Sequence, residues 1–220
     1  MKDKETEDVK KFFHGYAQDF DSIYGHTKNR SLLDKIADKL FRQSMYRRYE
    51  ECVKETMKPE IKTVLDIGCG SGHYCEAFLK QGKKVTGIDI AEGMLEIAKK
   101  KTKEYLEKGQ VKYILDDYST HTFDEKHDAA CLTGFFDYIK EPVKIFEKLK
   151  KDVSKEIYMS FPKAGGILAW QRKVRYNMRN CPLYLYKKSN LISMLEEVGW
   201  KGKYEIRDLD RDYFVKVKLQ

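Results

Sequence analysis

The chain has 220 residues, the size of one large α/β domain or one domain with extensions. Hydrophobic residues make up 41%, enough for a real core, while no uninterrupted apolar run approaches the ~20 residues that span a bilayer. Lys plus Arg outnumber Asp plus Glu by 43 to 35, a formal charge of +8. That balance favours an anionic substrate, a nucleic acid or an acidic membrane surface, and selects none of them.

The start, "MKDKETEDVKKFF", carries both signs of charge and no apolar signal-peptide core, so a cytoplasmic protein is expected. Residues 5–24 and 31–57 read as two helices. In the second, Leu32, Leu33, Ile36, Leu40, Phe41, Met45, Tyr49, Cys52 and Val53 recur near helical spacing. Lys58 and Pro59 end it. From there the rhythm changes to short apolar runs of strand type: "KTVLDIG", "KKVTGIDI", "VKYILDD" and "HDAACLTG". Helical patterns lie between the first three, at 73–81 and 91–108. Another helix is expected at 141–151, then a fifth strand, "EIYMSFP". Strands alternating with helices imply βαβ units and a parallel sheet covered on both faces. Beyond 162 comes an irregular basic stretch, then a helix at 189–198 and strands near 203–208 and 212–219. The last alternates Tyr213, Val215, Val217 and Leu219 with polar residues, as an antiparallel pair does. The expected fold is α/β: a doubly wound, Rossmann-like, seven-stranded and mostly parallel sheet with an antiparallel C-terminal strand. Residues 1–58 form a helical cap and 59–220 the core.

The five cysteines (Cys52, Cys69, Cys75, Cys131, Cys181) include no C-x-x-C pair and no histidine at ligand spacing. They read as buried, reduced thiols, and no metal site is expected.

"LDIGCGSGHYCEAF", residues 65–78, removes three side chains in five positions directly after an apolar strand. In an open parallel sheet, ligands bind beyond the carboxyl ends of the strands. Glycine there permits positive φ and lets backbone approach a ligand without Cβ in the way. The dinucleotide fingerprint is G-x-G-x-x-G. Here the third glycine arrives one residue early, and His73 holds the place where that motif has glycine. Asp66-Ile67-Gly68-Cys69-Gly70-Ser71-Gly72 instead resembles motif I, E/D-x-G-x-G-x-G, of the class I S-adenosylmethionine-dependent methyltransferases.

The resemblance covers roughly residues 62–162 and implies S-adenosyl-L-methionine as cofactor, with S-adenosyl-L-homocysteine as product. It implies that Asp66 and the loop Gly68, Cys69, Gly70 and Gly72 seat the methionine end. It places Asp89, 19 residues past Gly70, on the ribose hydroxyls; a helix N-cap is the competing reading. Ile90 and Met94 flank the adenine, with helix core an equal reading of Met94. Asp117 meets the adenine amino group, Asp116 being nearly as good, and Tyr118 supplies a backbone N–H. Leu132 to Phe136, with Thr133, Gly134 and Phe135 at the centre, lines the methionine portion.

The acceptor is less legible. After strand four the chain has "TGFFDYI" in place of the Asn/Asp-Pro-Pro-Tyr-like motif of adenine and glutamine-amide methyltransferases, and the Pro-Cys pair of 5-methylcytosine enzymes is also missing. Both absences favour a small-molecule acceptor. Tyr16, Phe20 and Tyr24 share one helix face and resemble the N-terminal lid of small-molecule methyltransferases; an ordinary amphipathic helix fits as well. Residues 162–190 hold seven Lys and Arg and no acid, with Trp170, Tyr176, Tyr184 and Tyr186 interleaved. Three readings stay open: a pocket for an anionic, aromatic or lipid-linked metabolite, with Trp170, Arg172, Arg175, Tyr184 and Tyr186 in contact; a patch for RNA; or a solvated or membrane-facing surface. Asp137 and Tyr138 are the leading candidates for a general base, with His14 in the lid region. The expected activity is methyl transfer to an O or N atom of a small metabolite. RNA methylation and cofactor binding without turnover are the alternatives.

Overall fold

The computed structural model describes residue 9, residues 45–166 and residues 181–220. Residues 45–56 form helix α1. Its buried positions, Met45, Arg48, Cys52, Glu55 and Thr56, recur three and four apart, so one stripe faces inward. Strand β1 (Thr63–Ile67) leads into α2 (His73–Lys80), β2 (Lys84–Asp89) into α3 (Glu92–Lys101) and α4 (Lys103–Glu107), then β3 (Val111–Leu115). Strand β4 (His127–Leu132), a short 3₁₀ turn (Phe136–Tyr138), α5 (Pro142–Asp152) and β5 (Val153–Pro162) follow. Helix α6 (Lys188–Glu197) and strands β6 (Tyr204–Leu209) and β7 (Asp212–Lys218) close the chain.

The seven strands run in the order β3-β2-β1-β4-β5-β7-β6. Pairings from β3 through to β5 are parallel, and β7 lies antiparallel to both β5 and β6. The expected doubly wound sheet with one reversed C-terminal strand is therefore the observed one. Because β1 pairs with β2 on one side and β4 on the other, the strand order reverses at β1. The crevice beyond the carboxyl ends of β1 and β4 is the switch point at which such sheets bind ligands.

Strand side chains alternate between two cores. Leu65, Ile67, Ala130, Leu132, Ile157, Met159 and Val215 pack under α5 and α6, against Phe146, Leu149, Leu195 and Trp200. Val64, Ala129, Cys131, Tyr158 and Phe214 face the other way, against Cys52 of α1 and Cys75, Phe78 and Leu79 of α2. Each large apolar side chain so buried contributes roughly 1.5–3 kcal/mol relative to exposure.

One boundary differs from expectation. The helical pattern at 91–108 is broken at Thr102, where φ is −109° and ψ is 23°. Its Oγ1 donates to Ala98 O (2.9 Å) and meets the Tyr113 hydroxyl (2.9 Å). A buried threonine that bonds back to the preceding turn and across to β3 ends α3 there.

Ion pairs fix α1 to the far side of the sheet. Arg207 of β6 donates to Glu51 and Glu55, and Lys216 of β7 donates to Glu55 (2.7 Å). Burial alone would raise Glu55, but hydrogen bonds from Lys216, Lys58 and Arg207 hold it down at about 2. Among the described residues, no helix is long and apolar enough to cross a membrane.

Candidate active site

The glycine loop begins as an extension of the β1–β2 ladder. Gly68 and Cys69 both donate their N–H to Ile88 O (2.9 and 3.2 Å). The next donor departs from the ladder: Gly70 N–H reaches Asp89 Oδ2 at 2.8 Å, while Ala91 N–H reaches Asp89 Oδ1 at 2.9 Å. One carboxylate thus ties the loop to the start of α3. Both oxygens retain lone pairs for further donors. Burial pushes Asp89 above the ordinary carboxylate range, against the pull of the backbone N–H groups of Ala91, Gly70 and Ile90.

Two glycines of the loop do different work. Gly70 has φ +52°, and no atom lies within 4 Å of where its Cβ would stand. It leaves open space at the cleft wall. Gly72 has φ +75°, and its Cβ would stand 2.8 Å from Ala98 Cβ on α3. The glycine that arrives early for a dinucleotide motif is therefore the one that permits close packing of the loop on a helix. Gly68 lies against Phe135, whose ring carbon would be 3.0 Å from an added Cβ, so the loops after β1 and β4 meet there.

Asp66 lies behind the loop, 2% exposed, and accepts from Cys75 Sγ at 3.2 Å. Burial first, then the charge of Asp89, pushes its carboxyl up to about 7. The sign follows from proton linkage: between the unfolded value near 3.8 and about 7, the folded state holds more protons, so stability falls as pH rises across that window and levels above it. Asp66→Asn is expected to flatten this slope. By pH 8 the unliganded wild type should have lost up to about 4 kcal/mol relative to the variant, from ~1.4 kcal/mol per pH unit. Urea denaturation at pH 4 and pH 8 checks it; parallel pH profiles would remove Asp66 as the cause.

At the end of β3, Asp116 N–H donates to Asp89 O (3.1 Å), which draws this corner towards the glycine loop. Asp116 Oδ2 pairs with His121 (2.9 Å) and its Oδ1 accepts from Asp117 N–H (2.8 Å). Asp117 uses Oδ1 for Ser119 N–H (2.9 Å). The Tyr118 side chain belongs to the core, its hydroxyl donating to Asp152 (2.9 Å) beneath the Lys148 ammonium. Ile90 is half-buried, while Met94 is buried beside Ala91 and Ile97, on the helix-core side.

After β4, Thr133, Gly134 and Phe135 are each half-buried, and Gly134 N–H donates to Ser160 Oγ at 2.9 Å. Asp137 is buried in the following turn, and Tyr138 is half-buried. Tyr184 N–H donates to Asp137 O (2.8 Å), so the end of the basic stretch returns to this turn. Tyr186 needs correction as an acceptor contact. Its hydroxyl donates to Phe136 O (3.0 Å) and Ile139 O (3.1 Å), and its ring packs on Phe161 in the core. It braces the turn that contains Asp137. Val9 and Cys181 are buried together, with Ile90, Tyr138 and Leu183 against them, so chain segments from both ends converge where β2 and β4 end. The expectations placed on His14, Tyr16, Phe20, Tyr24, Trp170, Arg172, Arg175 and Tyr176 lie outside the described residues. Among the described residues, no cluster of His, Cys, Asp or Glu is arranged to hold a metal ion.

Residues 64–155 match the family model described as "Methyltransferase domain". The chain carries a class I S-adenosylmethionine-dependent methyltransferase domain. S-adenosylmethionine is the methyl donor of this domain type. A ubiquinone biosynthesis O-methyltransferase of Hydrogenovibrio crunogenus is 32% identical over 103 residues, 47% of this chain and 43% of that protein. Another from Actinobacillus pleuropneumoniae serotype 5b is 30% identical over 156 residues, 66% of each chain. The chain thus spans less than two thirds of the length of these relatives. Among solved structures, magnesium protoporphyrin IX methyltransferase from Synechocystis PCC 6803 with bound S-adenosylhomocysteine superimposes with a TM-score of 0.75 at 17% identity, covering 99% of this chain and 100% of that one. This likeness concerns the fold.

The methyltransferase loop fits its cofactor on two counts. Gly70 leaves a cradle that a Cβ would fill. Ser71 Oγ, buried within the loop, has no hydrogen-bond partner among the described residues, so a polar ligand group there would satisfy it. Ser71 carried no sequence signal beyond its place in the motif. Gly87 did carry one: a glycine inside a strand marks a close approach. A Cβ there would stand 2.8 Å from the Tyr113 ring and 2.9 Å from Cys69 Sγ, so Gly87 makes room for the thiol behind the loop.

Proposed function

We propose that the protein methylates an oxygen of a small anionic or aromatic metabolite, with S-adenosylmethionine as donor. The observation that carries this is the Gly70–Asp89–Ala91 clasp: it holds an open, Cβ-free wall beside a half-buried carboxylate at the sheet's switch point. When bound, the cofactor's sulfonium supplies an electrophilic methyl carbon. The chain's part is to hold an acceptor in line with it and exclude water. Asp66 and the loop from Gly68 through Gly72 seat the methionine end, Asp89 the ribose, and Asp117 with Tyr118 N–H the adenine. Thr133, Gly134 and Phe135 line the methionine portion. The O-methyltransferase names of both relatives support an oxygen acceptor. Residues 1–58 act as a cap over a core of 59–220, and the basic stretch 162–190 lines the acceptor side.

A hydroxyl acceptor must lose its proton, and we assign that role to Asp137, in the turn after β4 whose backbone Tyr184 and Tyr186 hold through Asp137 O and Phe136 O. Asp137→Asn should lower kcat for a hydroxyl acceptor by about 10²-fold or more and leave cofactor affinity unchanged. The test is transfer of labelled methyl groups to hydroxylated acids and phenols, beside calorimetric titration with S-adenosylmethionine. Binding without transfer to any oxygen acceptor would overturn the acceptor assignment, and no binding would overturn the enzyme.

A further inference from the structure

Two of the five thiols are placed for chemistry with each other. Cys52 stands on α1 and Cys131 on β4, 79 residues apart in sequence, and their Sγ atoms are 2.9 Å apart. A disulfide bond is about 2.05 Å long, so roughly 0.9 Å separates this contact from a covalent one. Both residues are fully buried. The elements that carry them are held in place. Strand β4 pairs with β1 on one side and β5 on the other. Helix α1 is fixed one turn beyond Cys52, where Glu55 accepts from Lys216 (2.7 Å) and Arg207 (2.7 Å). Two further thiols of this core are engaged elsewhere. Cys75 donates to Asp66 at 3.2 Å, and Cys69 lies against Cys75 and the Gly87 backbone. Cys52 and Cys131 are thus left facing one another.

We infer that Cys52 and Cys131 are an oxidative modification site: a peroxide converts them to a disulfide that staples α1 to the centre of the sheet. Cys52 reacts first, because α1 packs on a face of the sheet and can lift, whereas Cys131 is on an interior strand that opens only with its neighbours. Once exposed, the Cys52 thiolate attacks one oxygen of hydrogen peroxide. The O–O bond breaks, Cys52 becomes a sulfenic acid, and the departing hydroxide takes up the proton that the thiol released. When α1 settles back, the Cys131 sulfur attacks the Cys52 sulfur. The S–O bond breaks, and the hydroxyl leaves as water with the Cys131 proton. Two thiols and one hydrogen peroxide thus give one disulfide and two waters. A link between residues 79 apart closes a long loop, so it restricts the unfolded chain strongly. It also stops the lifting of α1 that admitted the oxidant.

The test treats the full chain with a small molar excess of hydrogen peroxide, in buffer and in urea below the unfolding midpoint, and maps its peptides without reduction. The intact mass should fall by two hydrogens, with Cys52 and Cys131 in one cross-linked peptide. The midpoint of thermal unfolding should rise by about 5 °C or more. Amide exchange across residues 45–56 should slow by at least about tenfold. Cys52→Ala and Cys131→Ala should each abolish the mass loss, the thermal shift and the slower exchange. If either variant fails to fold, the other reads the same losses, and the wild-type peptide map needs neither. A different cysteine pairing, sulfinic acid at Cys52 in place of the cross-link, or no loss of hydrogens under either condition overturns the inference. So does a thermal shift that persists in Cys52→Ala, or a cross-link that leaves exchange in α1 unchanged.

Discussion

Replacing Asp89 by alanine is expected to raise the dissociation constant for S-adenosylmethionine by roughly 5- to 150-fold, the ~1–3 kcal/mol of losing hydrogen bonds to a charged group. Two losses combine. The proposed ribose contact is lost, and Gly70 N–H and Ala91 N–H lose the carboxylate that ties loop to helix. Asp89→Asn separates them, because it keeps one side-chain acceptor and should lose less. Calorimetric titration of both variants decides, with circular dichroism to establish that each is folded. An unchanged affinity for Asp89→Ala would reduce the residue to a helix cap.

Gly72→Ala is expected to destabilise the unliganded protein by about 2–5 kcal/mol. Holding an L side chain at φ +75° costs roughly 1–2 kcal/mol, and forcing a methyl to 2.8 Å from Ala98 Cβ adds about 1–3 kcal/mol of overpacking. Ala98 Cα stands 3.2 Å away as well, so no side-chain rotation relieves the contact. Gly70→Ala is the control. It has the positive φ without the clash, so it should cost only about 1–2 kcal/mol in stability. Its effect falls on cofactor affinity, because its methyl enters the cleft. Equal losses in urea denaturation for the two variants would mean that Gly72 is not a packing residue.

The sheet was legible because strand and helix periods differ and because β-branched runs alternate with amphipathic ones between 62 and 162. The glycine loop was legible because three glycines after a strand serve few purposes. Asp89 was singled out by position, yet its grip on Gly70 N–H was not legible, since a carboxylate's backbone partners depend on loop geometry that spacing alone does not set. Three other features escaped for separate reasons. The break at Thr102 arises from a hydroxyl that reaches β3, a contact remote in sequence. Tyr186 looked like one of several aromatics in a basic tract, and only the fold turns its hydroxyl to Phe136 O and Ile139 O. Arg48 was hidden among the many Lys and Arg of a helix surface, and only the fold turns it inward with Cys52 and Glu55.

The five thiols have a use that follows from where they sit. All are buried, and each lies on a different part of the fold: α1, the glycine loop, α2, β4 and the segment returning to the turn after β4. Burial raises the Cys52, Cys75 and Cys131 thiols, and Cys69 rises through its contact with Cys75 as well as burial. A closed structure therefore presents almost no reactive thiolate. Alkylation must wait for a local opening, so the rate at each cysteine measures the opening free energy of its own element. With mass-spectrometric readout, the unmodified chain reports residue by residue whether a ligand has tightened the cap, the loop or the sheet.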